Sequence, residues 1–222
     1  MNINQYIDHT LLKPEATTKQ IEALCHEAIK YKFAAVCVNS VHVPLAFHLL
    51  KDKSISVCTV VGFPLGASPC EVKALEAQLA IKAGASEIDM VLNIGALKDE
   101  NYHLIKAELS EMVKVCHDSN AILKVILETC LLDEKEIIKA CELCKSAKAD
   151  FVKTSTGFSH SGASLEVVKL MKDIVGEDLR VKASGGVKTK EDALKMIECG
   201  ASRIGTSSGI KLVTGQGQNS DY

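Results

Sequence analysis

The sequence predicts a single-domain (β/α)8 barrel, a parallel sheet closed on itself and covered by helices. Three observations lead there. Short β-branched, apolar runs alternate with segments of helical periodicity, the order that a parallel sheet with crossover helices requires. Eight such units fit into 222 residues, with no Pro/Gly/Ser-rich linker or shift of composition to mark a second domain. The open doubly wound alternative should carry G-x-G-x-x-G in its first strand-to-helix turn, and no such pattern is present.

The strand-like runs are 34–39, 56–61, 87–93, 121–128, 151–156, 180–184 and 203–207, with a more polar eighth at 6–11. Residues 17–31 place Ile21, Leu24, Cys25, Ala28 and Ile29 on one helical face. Residues 135–147 do the same with Ile137, Ile138, Cys141 and Cys144. Ser68-Pro69-Cys70-Glu71 reads as a capping box with Pro at the first helical position. Thr189-Lys190-Glu191-Asp192 is a similar start, with acids where the helix dipole favours them. Gly84 and Gly200, each followed by Ala-Ser and a strand, mark one helix-to-strand joint used twice, with the left-handed cap that Gly tolerates. The barrel is expected over 1–213, and 214–222 reads as a polar, mobile tail.

Composition narrows the partners. A hydrophobic fraction of 47% is ample for a packed core. With a net charge of −2, 4% aromatics and no Trp, the chain lacks the basic surplus and stacking rings of nucleic-acid modules. The only arginines are Arg180 and Arg203, so any phosphate site must rely on backbone N–H groups or Lys. No run of 18 apolar residues suggests a membrane span. The nine cysteines are scattered at apolar-face positions, which favours packing over metal or redox use, Cys141-x-x-Cys144 included. His26 and His48 fall in helical patterns and read as surface or interhelix residues rather than ligands, and His9 lies nearer the expected active face. No His/Asp/Glu cluster has metal-ligand spacing, so neither metal nor cofactor is expected. The N-terminus has no basic region before an apolar run, and a cytoplasmic location is expected.

Parallel strands buried on both faces should read as continuous Val/Ile/Leu. Three runs instead carry a central lysine, Lys124, Lys153 and Lys182, and a fourth carries Asp89. A buried charge costs several kcal/mol unless it is paired or neutralised. One reading is mutual ion pairing, Asp89 with Lys124 for instance. The other is chemistry. Lys153 opens Lys153-Thr154-Ser155-Thr156-Gly157 at the end of its strand, the active face of such a barrel. Burial, and a cation such as Lys182 on the next strand, would free its amine as a nucleophile toward carbonyls. Asp89 would then move protons around the imine, and alternation along the strand puts Asn93 on its face. Two Gly-rich turns, Gly185-Gly186-Val187 and Gly205-Thr206-Ser207-Ser208-Gly209, follow the last two strands, where phosphate sites of such barrels lie.

These residues resemble the deoxyribose-phosphate aldolases, a Schiff-base (class I) aldolase family. The matching stretches begin with Ile7-Asp8-His9-Thr10-Leu11-Leu12, Val36-Cys37-Val38-Asn39, Val61-Gly62-Phe63-Pro64-Leu65-Gly66 and Glu87-Ile88-Asp89-Met90-Val91-Leu92-Asn93. They continue through Leu123-Lys124-Val125-Ile126-Leu127-Glu128-Thr129, Phe151-Val152-Lys153-Thr154-Ser155-Thr156-Gly157 and Val181-Lys182-Ala183-Ser184-Gly185-Gly186-Val187. The resemblance implies the same (β/α)8 fold and reversible cleavage of 2-deoxy-D-ribose 5-phosphate to D-glyceraldehyde 3-phosphate and acetaldehyde, in deoxynucleoside catabolism. It implies Lys153 as the Schiff-base lysine, Lys182 as the second active-site lysine and Asp89 as proton shuttle. Asp8, Thr10, Cys37 and Lys124 become substrate contacts, and Gly157, Gly185, Gly186, Gly205, Ser207 and Ser208 phosphate contacts. A homo-oligomer, dimer or tetramer, is expected on the same ground. One departure stands out: Phe158 follows Thr156-Gly157 where some members have Lys, which shifts phosphate binding toward backbone amides. Tyr222 could reach the active face as a closing group, or belong to a disordered tail. A phosphosugar isomerase would keep the Gly-rich turns without two strand lysines. A non-catalytic phosphosugar sensor would bind with Lys153 replaced by Leu.

Overall fold

The computed structural model describes residues 2–215, in which eight parallel strands form a closed barrel. The strands are β1 (Ile7–Leu11), β2 (Ala35–Val38), β3 (Ser56–Val61), β4 (Glu87–Val91), β5 (Ile122–Ile126), β6 (Phe151–Lys153), β7 (Arg180–Ser184) and β8 (Ala201–Thr206). Each pairs with the next in sequence, and β8 returns to pair with β1. The helices between them are α1 (Thr18–Tyr31), α2 (Val43–Leu50), α3 (Cys70–Lys82), α4 (Ile94–Lys98), α5 (Tyr102–His117), α6 (Glu134–Ala147), α7 (Leu165–Val175) and α8 (Lys190–Glu198), with α9 (Gly209–Thr214) after the last strand. Thr214, assigned to the tail from the sequence, thus closes a helix. Residues 216–222, Tyr222 among them, lie outside the described residues.

Alternation along the strands separates two interiors. Outward residues such as Ile88, Met90, Leu123, Val125, Val152 and Val181 join the helices in the main core. Inward, Ala35 and Cys37 of β2 with Cys58 and Val60 of β3 form a small apolar flank under Leu12 and Phe63. Charges occupy much of the rest of the bore, and the sequence spaces Asp89, Lys124, Lys153 and Lys182 so that all four point into it. Phe151, two residues before Lys153 and so on the same side of β6, has Lys124 and Arg203 each 5.9 Å from its ring centroid.

β1, β3 and β7 end where the sequence pattern puts them, and the other five end earlier, at β5 and β6 because side chains take over the ladder. Lys153 closes β6; beyond it the Thr156 N–H and hydroxyl both donate to the Glu128 carboxylate. Glu128 itself has left-handed backbone (φ 55°), which stops β5 at Ile126. Asn93 caps α4 by accepting the Ala96 N–H, so it does not project beside Asp89. Thr17 with Gln20, Asp133 with Glu136 and Thr189 with Asp192 form reciprocal capping boxes. The box expected at Ser68 is missing: Pro69 holds the cap position of α3 and offers no side-chain acceptor. Gly84 and Gly200 have positive φ, 112° and 106°, at the repeated joint.

One lysine of α3 is not solvated. Lys73 is fully buried and donates to both oxygens of Glu108 on α5, at 2.9 Å each, and to the Val91 carbonyl at 2.9 Å. The pair ties two helices to the end of β4. Removing one partner leaves the other charge buried and uncompensated. Glu108→Ala should lower the unfolding free energy by about 3 kcal/mol in urea titration, and Lys73→Met/Glu108→Leu should recover most of that loss.

Candidate active site

Asp89 stands at the centre of the bore, where three neighbouring strands each supply a lysine. Its Oδ1 accepts from Lys124 Nζ at 2.8 Å and from the Cys58 thiol at 3.1 Å. Its Oδ2 accepts from Lys153 Nζ at 2.8 Å and from Lys182 Nζ at 2.7 Å. Cross-strand register makes this possible, since Lys153 lies opposite Lys182 and Asp89 opposite Lys124. A second ring of charges lies beside it. Lys182 pairs with Asp8 at 2.5 Å, Lys124 with Glu87 at 2.6 Å, and Arg203 joins Glu87 at 2.7 Å and Asp8.

The electrostatics follow from burial against this crowd. Burial pushes the Asp89 carboxyl up, but Lys124, Lys153 and Lys182 together hold it well below the usual carboxylate range. Burial likewise opposes ionisation of Asp8, and Lys182, Arg203 and Lys124 outweigh it to hold Asp8 at about 2. Desolvation favours neutral Lys182 and Lys124. The carboxylates override it, Asp8 and Asp89 for Lys182 and chiefly Asp89 for Lys124, so both stay ammonium. A hydrogen bond with Cys58 is the main influence lowering the Cys37 thiol, whereas burial raises Cys58 well above its ordinary value.

Above this layer opens a cavity of about 430 Å3. Lys153 is the one of the three strand lysines that lines it. Thr10, Gly157, Gly185, Gly186, Gly205, Ser207 and Ser208 line it as well, so the two Gly-rich turns do converge on one space. The Gly185 turn needs its glycine: φ is +78°, and Gly162 lies so near that a Cβ on Gly162 would fall 2.4 Å from the Gly185 carbonyl oxygen. Asp8, Cys37, Lys124, Lys182 and Asp89 do not line the cavity; they are fully buried beneath it.

Sequence reasoning passed over several residues here. Lys13 and Lys188, both exposed, line the cavity from the turns after β1 and β7. Phe158 therefore does not leave the phosphate end without basic side chains; it packs edge-on against Phe63 at 5.2 Å. Glu87 and Arg203, which complete the charge network, are strand charges whose pairing the sequence pattern alone does not reveal. Cys37, Cys58 and Asp89 come within metal-ligand range of one another, as do Asp8, Cys58 and Glu87. Their carboxylates are already engaged by ammonium and guanidinium groups. All nine cysteines are free thiols, with Cys141 and Cys144 buried in α6, where burial raises Cys141 to about 12.

A closed parallel barrel with a strand lysine lining a Gly-rich cavity is compatible with a lyase acting on carbon–carbon bonds, and similarity to known proteins establishes that class. The family model described as DeoC/LacD family aldolase matches residues 3–215, and the chain belongs to that family. It is 57% identical over 217 residues to the deoxyribose-phosphate aldolase of Thermococcus gammatolerans, covering 97% of this chain and 96% of the relative. The enzyme of the same name from Natranaerobius thermophilus is 59% identical over 215 residues, 97% of each chain. The tetrameric deoxyribose phosphate aldolase structure from Aeropyrum pernix superposes with a TM-score of 0.89 at 35% identity, over 95% of this chain and 89% of that one.

The charge network predicts acid sensitivity. A carboxyl with a lowered folded pKa stabilises the protein above its unfolded value, and that contribution is lost as pH falls through the folded value. For Asp8 the window runs from 3.8 down to about 2. Its contribution is on the order of 2 kcal/mol. Urea titrations at pH 5 and pH 2.5 should show this fall, and Asp8→Asn should flatten the dependence while lowering stability at pH 5.

Proposed function

We propose that this aldolase reversibly cleaves 2-deoxy-D-ribose 5-phosphate to D-glyceraldehyde 3-phosphate and acetaldehyde through a Schiff base on Lys153. One observation carries the reading: of the three lysines around Asp89, Lys182 and Lys124 are held as ammonium and lie beneath the cavity, while Lys153 lines it. The charges support it. Asp8, Glu87 and Asp89 are matched one for one by Lys124, Lys182 and Arg203, without counting Lys153.

In the cleavage direction the Lys153 amine adds to the C1 aldehyde, and loss of water gives the iminium. The C3 hydroxyl gives up its proton, the C2–C3 bond breaks, and its electron pair moves toward the iminium nitrogen to form an enamine. D-glyceraldehyde 3-phosphate leaves. Protonation of the enamine at C2 and hydrolysis release acetaldehyde and restore the amine. Asp89 and Lys182 exchange protons with Lys153 through their shared hydrogen bonds, and a water carries protons between Asp89 and the substrate. Thr10 contacts the substrate directly. Asp8, Cys37 and Lys124 support the amine layer from below. The backbone of Gly157, Gly185, Gly186 and Gly205, the hydroxyls of Ser207 and Ser208, and the charges of Lys13 and Lys188 receive the phosphate.

Among the described residues, no helix is long and apolar enough to cross a membrane. The nine free thiols suit a reducing compartment, and we assign the enzyme to the cytoplasm. We assign it a homo-oligomeric state, because α3 buries Ala74, Ala77 and Ala80 yet also exposes Val72, Leu75 and Leu79 on a second face. Leu75→Glu/Leu79→Glu should reduce the mass measured by light scattering after size exclusion; a monomeric parent chain would contradict the assignment.

A retro-aldol assay with deoxyribose 5-phosphate tests the function. Cleavage should survive EDTA, and Lys153→Leu should lower kcat by at least about 1,000-fold while the variant still binds the phosphosugar. Loss of cleavage in EDTA, or retained cleavage in Lys153→Leu, would overturn the mechanism.

A further inference from the structure

Ser184 is the last residue of β7, two residues beyond Lys182, so its side chain points into the bore one level closer to the cavity. It lines that cavity yet is nine-tenths buried or more. Its backbone is clasped twice by Thr154: the Ser184 N–H donates to Thr154 Oγ at 3.1 Å, and Thr154 Oγ donates to the Ser184 carbonyl at 3.2 Å. The same carbonyl accepts the Ala163 N–H at 3.0 Å. With its main chain fixed, the hydroxyl has no protein partner among the described residues. A buried hydroxyl in that condition calls for a polar group from a ligand.

Gly205 on β8 keeps space for it. A Cβ there would lie 2.5 Å from Ser184 Oγ and 3.1 Å from Lys182 Cε. The hydroxyl therefore stands beside the amine layer and below the Gly185-Gly186 turn. Two residues along a strand span about 6.6 Å, comparable to the reach of a four-carbon chain standing on Lys153. We propose that Ser184 Oγ hydrogen-bonds the non-reacting C4 hydroxyl of the sugar phosphate, which is the C2 hydroxyl of the acceptor aldehyde, and so selects hydroxylated over deoxygenated acceptors. This deepens the aldolase reading and rests on it.

The test condenses acetaldehyde with two acceptors, D-glyceraldehyde 3-phosphate and 3-oxopropyl phosphate, which differ only in that hydroxyl. The ratio of their kcat/KM values does not depend on how much of a preparation is active. In Ser184→Ala the ratio should fall by about five- to tenfold, the size of one hydrogen bond, through loss on the hydroxylated acceptor alone. Ser184→Cys, which keeps the volume with a poorer donor, should fall between the parent and Ser184→Ala, and it serves as the readout if the alanine variant does not fold. An unchanged ratio, whether both substrates lose rate equally or neither does, would overturn the proposal and leave the aldolase reading standing. A parent enzyme that condenses neither acceptor would overturn both.

Discussion

One carboxylate organises the interior of this barrel. Asp89 accepts hydrogen bonds from three lysines on three different strands, in a bore where it, Lys124 and Lys182 are fully buried and Lys153 alone reaches the cavity. An isolated ammonium there would cost several kcal/mol or lose its proton. Asp89, backed by Asp8 and Glu87, keeps Lys124 and Lys182 protonated. Lys182 and Lys124 each have a second carboxylate, and Lys153 pairs with Asp89 alone among the described residues. The three chemically identical side chains thus differ in how many carboxylates each one touches.

The fold serves that arrangement. Parallel pairing in strict chain order brings inward residues of β4 to β8 to adjacent levels, and the apolar flank from β2 and β3 excludes water on the other side. Past the charged layer the strands give way to turns whose main-chain groups are held by side chains. Glu128 holds Thr156, and Thr156 Oγ in turn accepts the Phe158 N–H at 3.0 Å. Such fixed turns pre-position donors around the cavity before a ligand arrives.

Much of this was legible before any coordinates. Lysines and an aspartate within β-branched runs break the expected pattern for buried strands, and period-two alternation then sends them inward together. The helix start at Thr189 was legible, where a polar cap precedes an acid by three residues, whereas at Ser68 the same pattern misleads because Pro69 takes the cap position. Strand ends were less legible, because Glu128 and Asn93 stop the ladder through their own conformation and side-chain bonds, which patterning does not encode. Lys73 escaped notice for a different reason. Its helix is apolar on two faces, so periodicity does not show which of its polar residues is enclosed. Lys13 and Lys188 were hidden in turns, where only the three-dimensional convergence of β1 and β7 reveals a common cavity.

The proposed division between a reactive Lys153 and two lysines held as ammonium is open to a direct measurement. Sodium borohydride reduction in the presence of acetaldehyde, followed by peptide mass mapping, converts an imine into a stable N-ethyl group on the lysine that formed it. The charge network predicts that adduct on the peptide carrying Lys153, with Lys124 and Lys182 unmodified. An adduct on Lys182 or Lys124, or none at all in an enzyme that is turning over, would contradict it.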